Sequence, residues 1–115
     1  MFLLIALAAA SALGIAEQGI EVPNAIAKQH NAYVRCQDEH FDVRNVRDQQ
    51  TFVSEVEKSI AACKDQKAIL ISEAEKILAS APEYGDPAKR ESAIAQSFDG
   101  YDQMRREMAN RGASR

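Results

Sequence analysis

The fold is decided by residues 52–81, which read FVSEVEKSIAACKDQKAILISEAEKILASA. Apolar or small residues recur in this stretch at alternating steps of four and three, and only Lys67 interrupts the series. Its members are Val56, Ile60, Cys63, Leu70, Ala74, Ile77 and Ala81. This is the heptad spacing of a helix that packs lengthwise against another helix, as in a coiled coil. A second row beside it (Ala68, Ile71 and Leu78) widens the apolar face enough for two neighbouring helices.

The composition bounds the class of protein. The chain has 115 residues and no Trp, few aromatic residues and many helix-forming side chains, which is typical of one small all-α domain. The formal net charge is −3, so no broad positive field attracts nucleic acid. No phosphate-binding loop, nucleophile elbow or zinc-protease motif occurs, and we therefore predict no bound cofactor, no metal site and no enzymatic activity.

The first residues are typical of a targeting segment. Residues 2–16 are apolar or small and carry no charged side chain, a length that suits a signal peptide better than a membrane span. Gly14 and Ala16 are the small residues expected before a cleavage at Glu17, and Ala12 offers an earlier one. We therefore predict a signal peptide at residues 1–16 and export of residues 17–115 to the periplasm or the exterior. An uncleaved N-terminal membrane anchor is the alternative.

Export changes the interpretation of the two cysteines. Cys36 and Cys63 are the only ones in the chain. In an oxidising compartment such a pair is expected to form a disulfide, whereas in the cytosol two separate buried thiols are more common. The predicted signal peptide and the predicted disulfide support each other.

Helix signals divide residues 17–115 into three predicted helices, at about 25–46, 51–81 and 87–110. Asn24 and Asp48 are expected to cap the first two. Pro82 should end the second helix, because the residue before a proline disfavours helix. Asp86 followed by Pro87 is a strong start signal for the third. Because no Gly or Pro separates the first two helices, one continuous helix is the alternative.

The cysteines favour a turn between those helices. If the chain folds back near residues 49 and 50, Cys36 lies level with Cys63, Val43 faces Val56, and Gln29 faces Leu70. A continuous helix would hold the cysteines about 40 Å apart, which allows a bridge only between chains. The architecture that we predict is an antiparallel helical hairpin with a Cys36–Cys63 disulfide. The third helix lies along it through Ile94, Phe98, Tyr101, Met104 and Met108, giving a three-helix bundle.

Several side chains are candidate sites. Cys36 and His40 share a helical face and would suit an activated thiolate or, with nearby acidic residues, a metal site. His30 is too far along the helix to join them. A buried Lys67 could be a functional lysine of lowered pKa, although a lysine whose ammonium reaches solvent or which sets the pairing of the helices is the simpler interpretation.

The C-terminal arginines (Arg105, Arg106, Arg111 and Arg115) form the only basic cluster. They could weakly contact anionic lipid, or they could complement the helix dipole. The function that we predict is a small exported binding, scaffold or chaperone-like module with a protein partner or a second copy of itself. A metal-handling or thiol-based protein that uses Cys36 and His40 is the alternative.

Overall fold

A computed structural model describes residues 20–112, and over this range the chain is helical and contains no strand. Four α-helices follow one another: α1 Ala27–His40, α2 Gln49–Ala62, α3 Lys64–Ala79 and α4 Pro87–Gly112. Short 3₁₀ turns lie at Asn24–Ile26, Val43–Asn45 and Pro82–Tyr84. The all-α class is confirmed, but the bundle has four helices instead of three. The signal peptide predicted at residues 1–16 lies outside the described residues.

The stretch that we predicted as one helix, residues 51–81, is interrupted at Cys63. This residue has φ −101° and ψ 10°, and its N–H bonds to the carbonyl of Ile60 in a tighter turn. The helical pattern resumes when the N–H of Lys67 donates to the Cys63 carbonyl at 2.8 Å. Since Ala61 and Ala62 are good helix formers, local propensity does not explain the break. The break coincides with the covalent attachment of Cys63 to α1.

The first helix is shorter than predicted at both ends. It begins at Ala27, because Asn24 lies within a 3₁₀ turn and does not act as the side-chain cap. It ends at His40, where Phe41 adopts an extended conformation with φ −102° and ψ 117°. Val43, predicted to face Val56, is 70% exposed in the loop that follows. The loop carries its own turn, in which Asp42 Oδ1 accepts from the N–H of Arg44 at 3.0 Å.

Three of the sequence signals at helix ends are confirmed. Asp48 caps α2 by accepting from the N–H of Thr51, and the Thr51 hydroxyl accepts from the N–H of Asp48 in return. Ala81 is extended before Pro82, as expected for that position. Helix α4 begins at Pro87, with Asp86 Oδ1 accepting from the N–H of Ala88 at 3.1 Å.

The core lies where α1 and α4 pack across the consecutive helices α2 and α3. At its centre the ring of Tyr33 meets Phe98 at 5.7 Å and Tyr101 at 6.2 Å between centroids. Ile26, Ala74 and Leu78 join them from α3 and the turn before α1, all without exposed surface. The predicted apolar row of α4 is correct for Ile94, Phe98 and Tyr101. It fails at its end, because Met108 is 47% exposed and Ala109 is buried in its place.

Candidate functional site

The disulfide predicted from the sequence is present. Cys36 on α1 is joined to Cys63 between α2 and α3, with their Cα atoms 6.0 Å apart. Both cysteines are buried, so the bridge lies inside the fold, where α1 crosses the interruption between α2 and α3. No free cysteine remains among residues 20–112. The disulfide indicates a non-reducing environment for the folded protein.

His40 lies against the disulfide. Its Nδ1 is 3.9 Å from Cys36 Sγ and 3.8 Å from Cys63 Sγ, while its side chain is exposed to solvent. The same nitrogen is 2.9 Å from the carbonyl oxygen of Cys36, and because a carbonyl only accepts, Nδ1 carries the proton. With both sulfurs bonded to each other, neither is a nucleophile that His40 could activate in this form.

The other candidate ligands are elsewhere. Within the described residues Cys36, His40 and Cys63 are the group close enough to hold one metal ion, and Asp38 and Glu39 do not belong to it. His30 lies in another part of α1. Its Nδ1 is 2.8 Å from the carbonyl of Ser97, and its ring meets the edge of Tyr101 at 5.5 Å between centroids.

A buried polar network joins α1, α3 and α4 around Asp102, which is 3% exposed. Asp102 Oδ1 accepts from the Tyr33 hydroxyl at 2.7 Å and from Gln37 Nε2 at 2.6 Å. Its other oxygen, Oδ2, accepts from Lys67 Nζ at 2.9 Å. The ammonium also bonds to Asp99 at 2.6 Å and lies 5.8 Å from the centroid of the Tyr33 ring. The network therefore fixes three helices relative to one another through a single carboxylate.

The network decides the protonation of its members. Burial raises the pKa of Tyr33, and the neighbouring Asp102 raises it further. Burial by itself would lower the pKa of Lys67, but its bonds to Asp99 and Asp102 outweigh this, and the pKa lies above its ordinary value. A lysine that acts as a base or nucleophile needs the opposite shift. Lys67 thus serves as a cation that offsets the buried charge of Asp102.

Sequence reasoning missed Asp102 and Gln37 as members of this site. Asp102 follows Phe98 by one helical turn and therefore falls on the buried face of α4. This spacing is the signal in the sequence that could have identified Asp102. Gln37 is completely buried, and its Oε1 has no hydrogen-bond partner. Lys67 had been singled out from the sequence, as the one interruption of the apolar series.

The arginines of α4 are engaged within the fold. Arg105 lies over the ring of Phe41 at 5.1 Å and is paired with Asp38 at 3.5 Å. Arg106 donates two bonds to the carboxylate of Glu57, at 2.6 and 3.1 Å, and these bonds raise its pKa. Arg111 is exposed in the last turn of α4, and Arg115 lies outside the described residues. Two of the four cations considered for lipid contact therefore already have acidic partners.

An apolar surface lies at the end of the molecule that holds the α1–α2 loop and the last turns of α4. The rings of Phe41 and Phe52 are 6.0 Å apart there. Helix α4 covers them with Arg105 over Phe41 and with the backbone of Gly112 against Phe52. Met108, on the same face of α4 between those two residues, is 47% exposed. Val43 projects from the loop. We call these four residues, Phe41, Val43, Phe52 and Met108, the corner patch.

Fold and site together define a disulfide-stabilised, all-α domain with a charged network in its interior. Comparisons with protein-family models, curated proteins and solved structures found no match to this chain. Within residues 20–112, none of the helices is both long and apolar enough to cross a membrane.

Proposed function

We propose that the chain is exported and acts outside the reducing cytoplasm as a small, non-enzymatic binding module. The corner patch is the observation that carries this proposal. A contiguous exposed apolar patch on a protein surface often marks a site that binds a partner. Val43 is 70% exposed and Met108 47%, at the end of the molecule that also holds the partly buried rings of Phe41 and Phe52.

The surroundings of the patch indicate the chemistry of the partner. Gln49 Nε2 donates to the carbonyl of Asn110 at 2.8 Å, so the start of α2 and the end of α4 lie together. This brings the exposed Arg47 and Arg111 to the same end of the molecule. An apolar segment flanked by acidic residues fits such a surface, because the apolar side chains cover the patch and the acidic ones meet the arginines. Met108 adds an adaptable contact, since a thioether side chain adjusts to different shapes.

The reactive side chains support a binding role more than a catalytic one. The two sulfurs are bonded to each other, Lys67 is paired with two carboxylates, and the Nδ1 proton of His40 is held by a backbone carbonyl. The two thiols and the lysine that the sequence singled out as possible nucleophiles are thus committed to structural contacts. These commitments stabilise the domain and leave the exposed surface to recognise partners.

Site-specific photocrosslinking tests this proposal. A photoreactive residue at Val43 should capture a partner in the exported fraction of the native host. The control is the same residue at Ile69, which is 60% exposed but lies on α3, away from the patch. Equal capture at both positions, or none at Val43, would refute the patch as the binding surface.

Crosslinked adducts also identify the occupant. An adduct of twice the protein's own mass shows a second copy, and sedimentation at micromolar concentration should then show a dimer. An adduct with a different chain shows a separate partner. Substituting Val43→Asp should weaken either contact, because it places a charge in the apolar surface. Unchanged capture through a photoreactive residue at Met108 in the Val43→Asp background would count against the patch.

A further inference from the structure

The sulfurs of Cys36 and Cys63 and a ring nitrogen of His40 lie close enough together to hold one metal ion. We propose that Cys36, Cys63 and His40 bind one Zn²⁺ ion whenever the two cysteines are present as thiols. This goes beyond the binding role of the corner patch and uses a different part of the molecule. It concerns the chain before its disulfide forms, and the chain after that bond has been reduced.

The distances between the three side chains fit a tetrahedral Zn²⁺ site. A tetrahedral Zn²⁺ ion has Zn–S bonds of about 2.3 Å and Zn–N bonds of about 2.0–2.1 Å, which place a bound sulfur and nitrogen about 3.6 Å apart. His40 Nδ1 already lies 3.9 Å from Cys36 Sγ and 3.8 Å from Cys63 Sγ. Once the covalent bond is broken, the sulfurs must separate to about 3.8 Å. Rotation of the two cysteine side chains can provide this.

The environment fits the charge of such a site. Both cysteines are buried, whereas His40 opens to solvent. Two thiolates and one neutral imidazole offset the charge of Zn²⁺ completely, so a neutral complex forms next to the core. The exposed side leaves the fourth position to water, as in zinc sites with three protein ligands. To bind, His40 must give up its bond to the Cys36 carbonyl and carry its proton on Nε2.

Reduction of the disulfide frees both sulfurs to bind the metal. A phosphine reductant breaks the S–S bond, gains the oxygen of one water molecule and becomes a phosphine oxide, and the two sulfurs take the two water protons. Zn²⁺ then displaces both thiol protons into solvent and forms two Zn–S bonds and one Zn–N bond. The same sulfurs cannot form a disulfide while they hold the metal. Zn²⁺ should therefore delay the oxidation of Cys36 and Cys63.

Titration of the reduced protein tests the site directly. The purified protein, kept reduced by a phosphine, is titrated with Co²⁺ as an optical probe and then with Zn²⁺ in competition. We expect one tetrahedral, thiolate-bound Co²⁺ per chain, displaced by Zn²⁺, and no binding by the oxidised protein. His40→Ala should weaken Zn²⁺ binding at least about tenfold, because loss of even an outer partner of a ligand commonly costs 10–100-fold. His30→Ala is the matched control and should leave the affinity unchanged.

Two results of the titration would overturn the proposal. Equal affinity of the wild type and His40→Ala would mean that a dithiol alone binds the ion. If the wild type bound Zn²⁺ no more tightly than Cys36→Ser does, there would be no site. If the reduced chain unfolds, circular dichroism provides the test of the site. Zn²⁺ should then restore helical signal in the wild type and not in His40→Ala, and its failure to do so also refutes the site.

The rate of oxidation gives a second, independent readout. Mass spectrometry can follow formation of the disulfide in air with and without saturating Zn²⁺. We expect the ion to slow oxidation of the wild type at least about tenfold, and to slow that of His40→Ala much less. Equal slowing in both proteins would show that His40 is not a ligand.

Discussion

At the residue scale the most consequential side chain is Asp102. One buried carboxylate accepts hydrogen bonds from Tyr33, Gln37 and Lys67, which belong to two other helices. A buried charge of this kind is tolerated only because each oxygen has a donor and a cation lies beside it. Lys67 bonds to Asp99 as well, but that carboxylate is 68% exposed. Two acidic residues with the same partner therefore have different energetic roles.

These roles predict different costs of substitution. Asp102→Asn should lower the free energy of unfolding by about 2–4 kcal/mol, because it removes a charged acceptor and leaves buried donors poorly satisfied. Asp99→Asn is the matched control and should cost less than about 1 kcal/mol, as expected for an exposed ion pair. Urea denaturation of the oxidised proteins measures both values. Similar costs for the two variants would show that burial does not distinguish them.

The same network predicts how stability depends on alkaline pH. The folded protein raises the pKa of both Tyr33 and Lys67. Their contribution to stability is therefore complete below the unfolded values of about 10, and it is lost as the pH rises above them. Absorbance titration should show that Tyr33 ionises only when the protein unfolds. Tyr33→Phe should flatten the alkaline loss of stability, and an unchanged slope would argue against this assignment.

At the scale of elements, helix ends separate into those encoded locally and those imposed by packing. Asp48 and Thr51 start α2, and Asp86 with Pro87 starts α4, through hydrogen bonds between residues that are close in sequence. The end of α1 at Phe41 and the break at Cys63 have no Gly or Pro to mark them. Phe41 leaves the helix where it packs between Phe52 and Arg105. Long-range contacts therefore decide these two boundaries.

Two glycines of α4 provide a test of local helix energetics. Gly100 lies inside the helix, and a Cβ there would be 3.4 Å from Ile20 Cγ2, an acceptable contact. Gly100→Ala should raise the free energy of unfolding by about 0.5–1 kcal/mol, because alanine is the better helix former. A Cβ at Gly112 would be only 3.1 Å from the Phe52 ring, so Gly112→Ala should give no such gain. Denaturation midpoints measure the difference, and an equal gain would contradict it.

At the scale of the whole molecule the disulfide ties α1 to the joint between α2 and α3. It closes a loop with a sequence separation of 27 residues. The chain-entropy model assigns such a loop about 3–4 kcal/mol of stabilisation. That is a large share of the stability expected for so small a domain. The cross-link is therefore a main determinant of whether the helices stay together.

Removal of the disulfide should show how much it contributes to the free energy of unfolding. The free energy of unfolding of the double variant Cys36→Ala/Cys63→Ala should be about 3–4 kcal/mol lower than that of the oxidised protein. Reduction of the wild type without added metal should give a loss of similar size, which serves as the control. Chemical denaturation measures both, with circular dichroism as the signal. A loss below about 1 kcal/mol would mean that the helices are held by their packing alone.

The sequence by itself determined the all-α class, the pairing of Cys36 with Cys63, the cap at Asp48 and the start of α4 at Pro87. The pairing follows because the chain has only two cysteines. The other three depend on the spacing of apolar residues or on groups a few residues apart, and such information is local. Tertiary structure decided the break at Cys63, the end of α1, the exposure of Met108 and the network around Asp102. The reason is that a helix face becomes buried, or a charge tolerated, only when residues distant in the chain meet it.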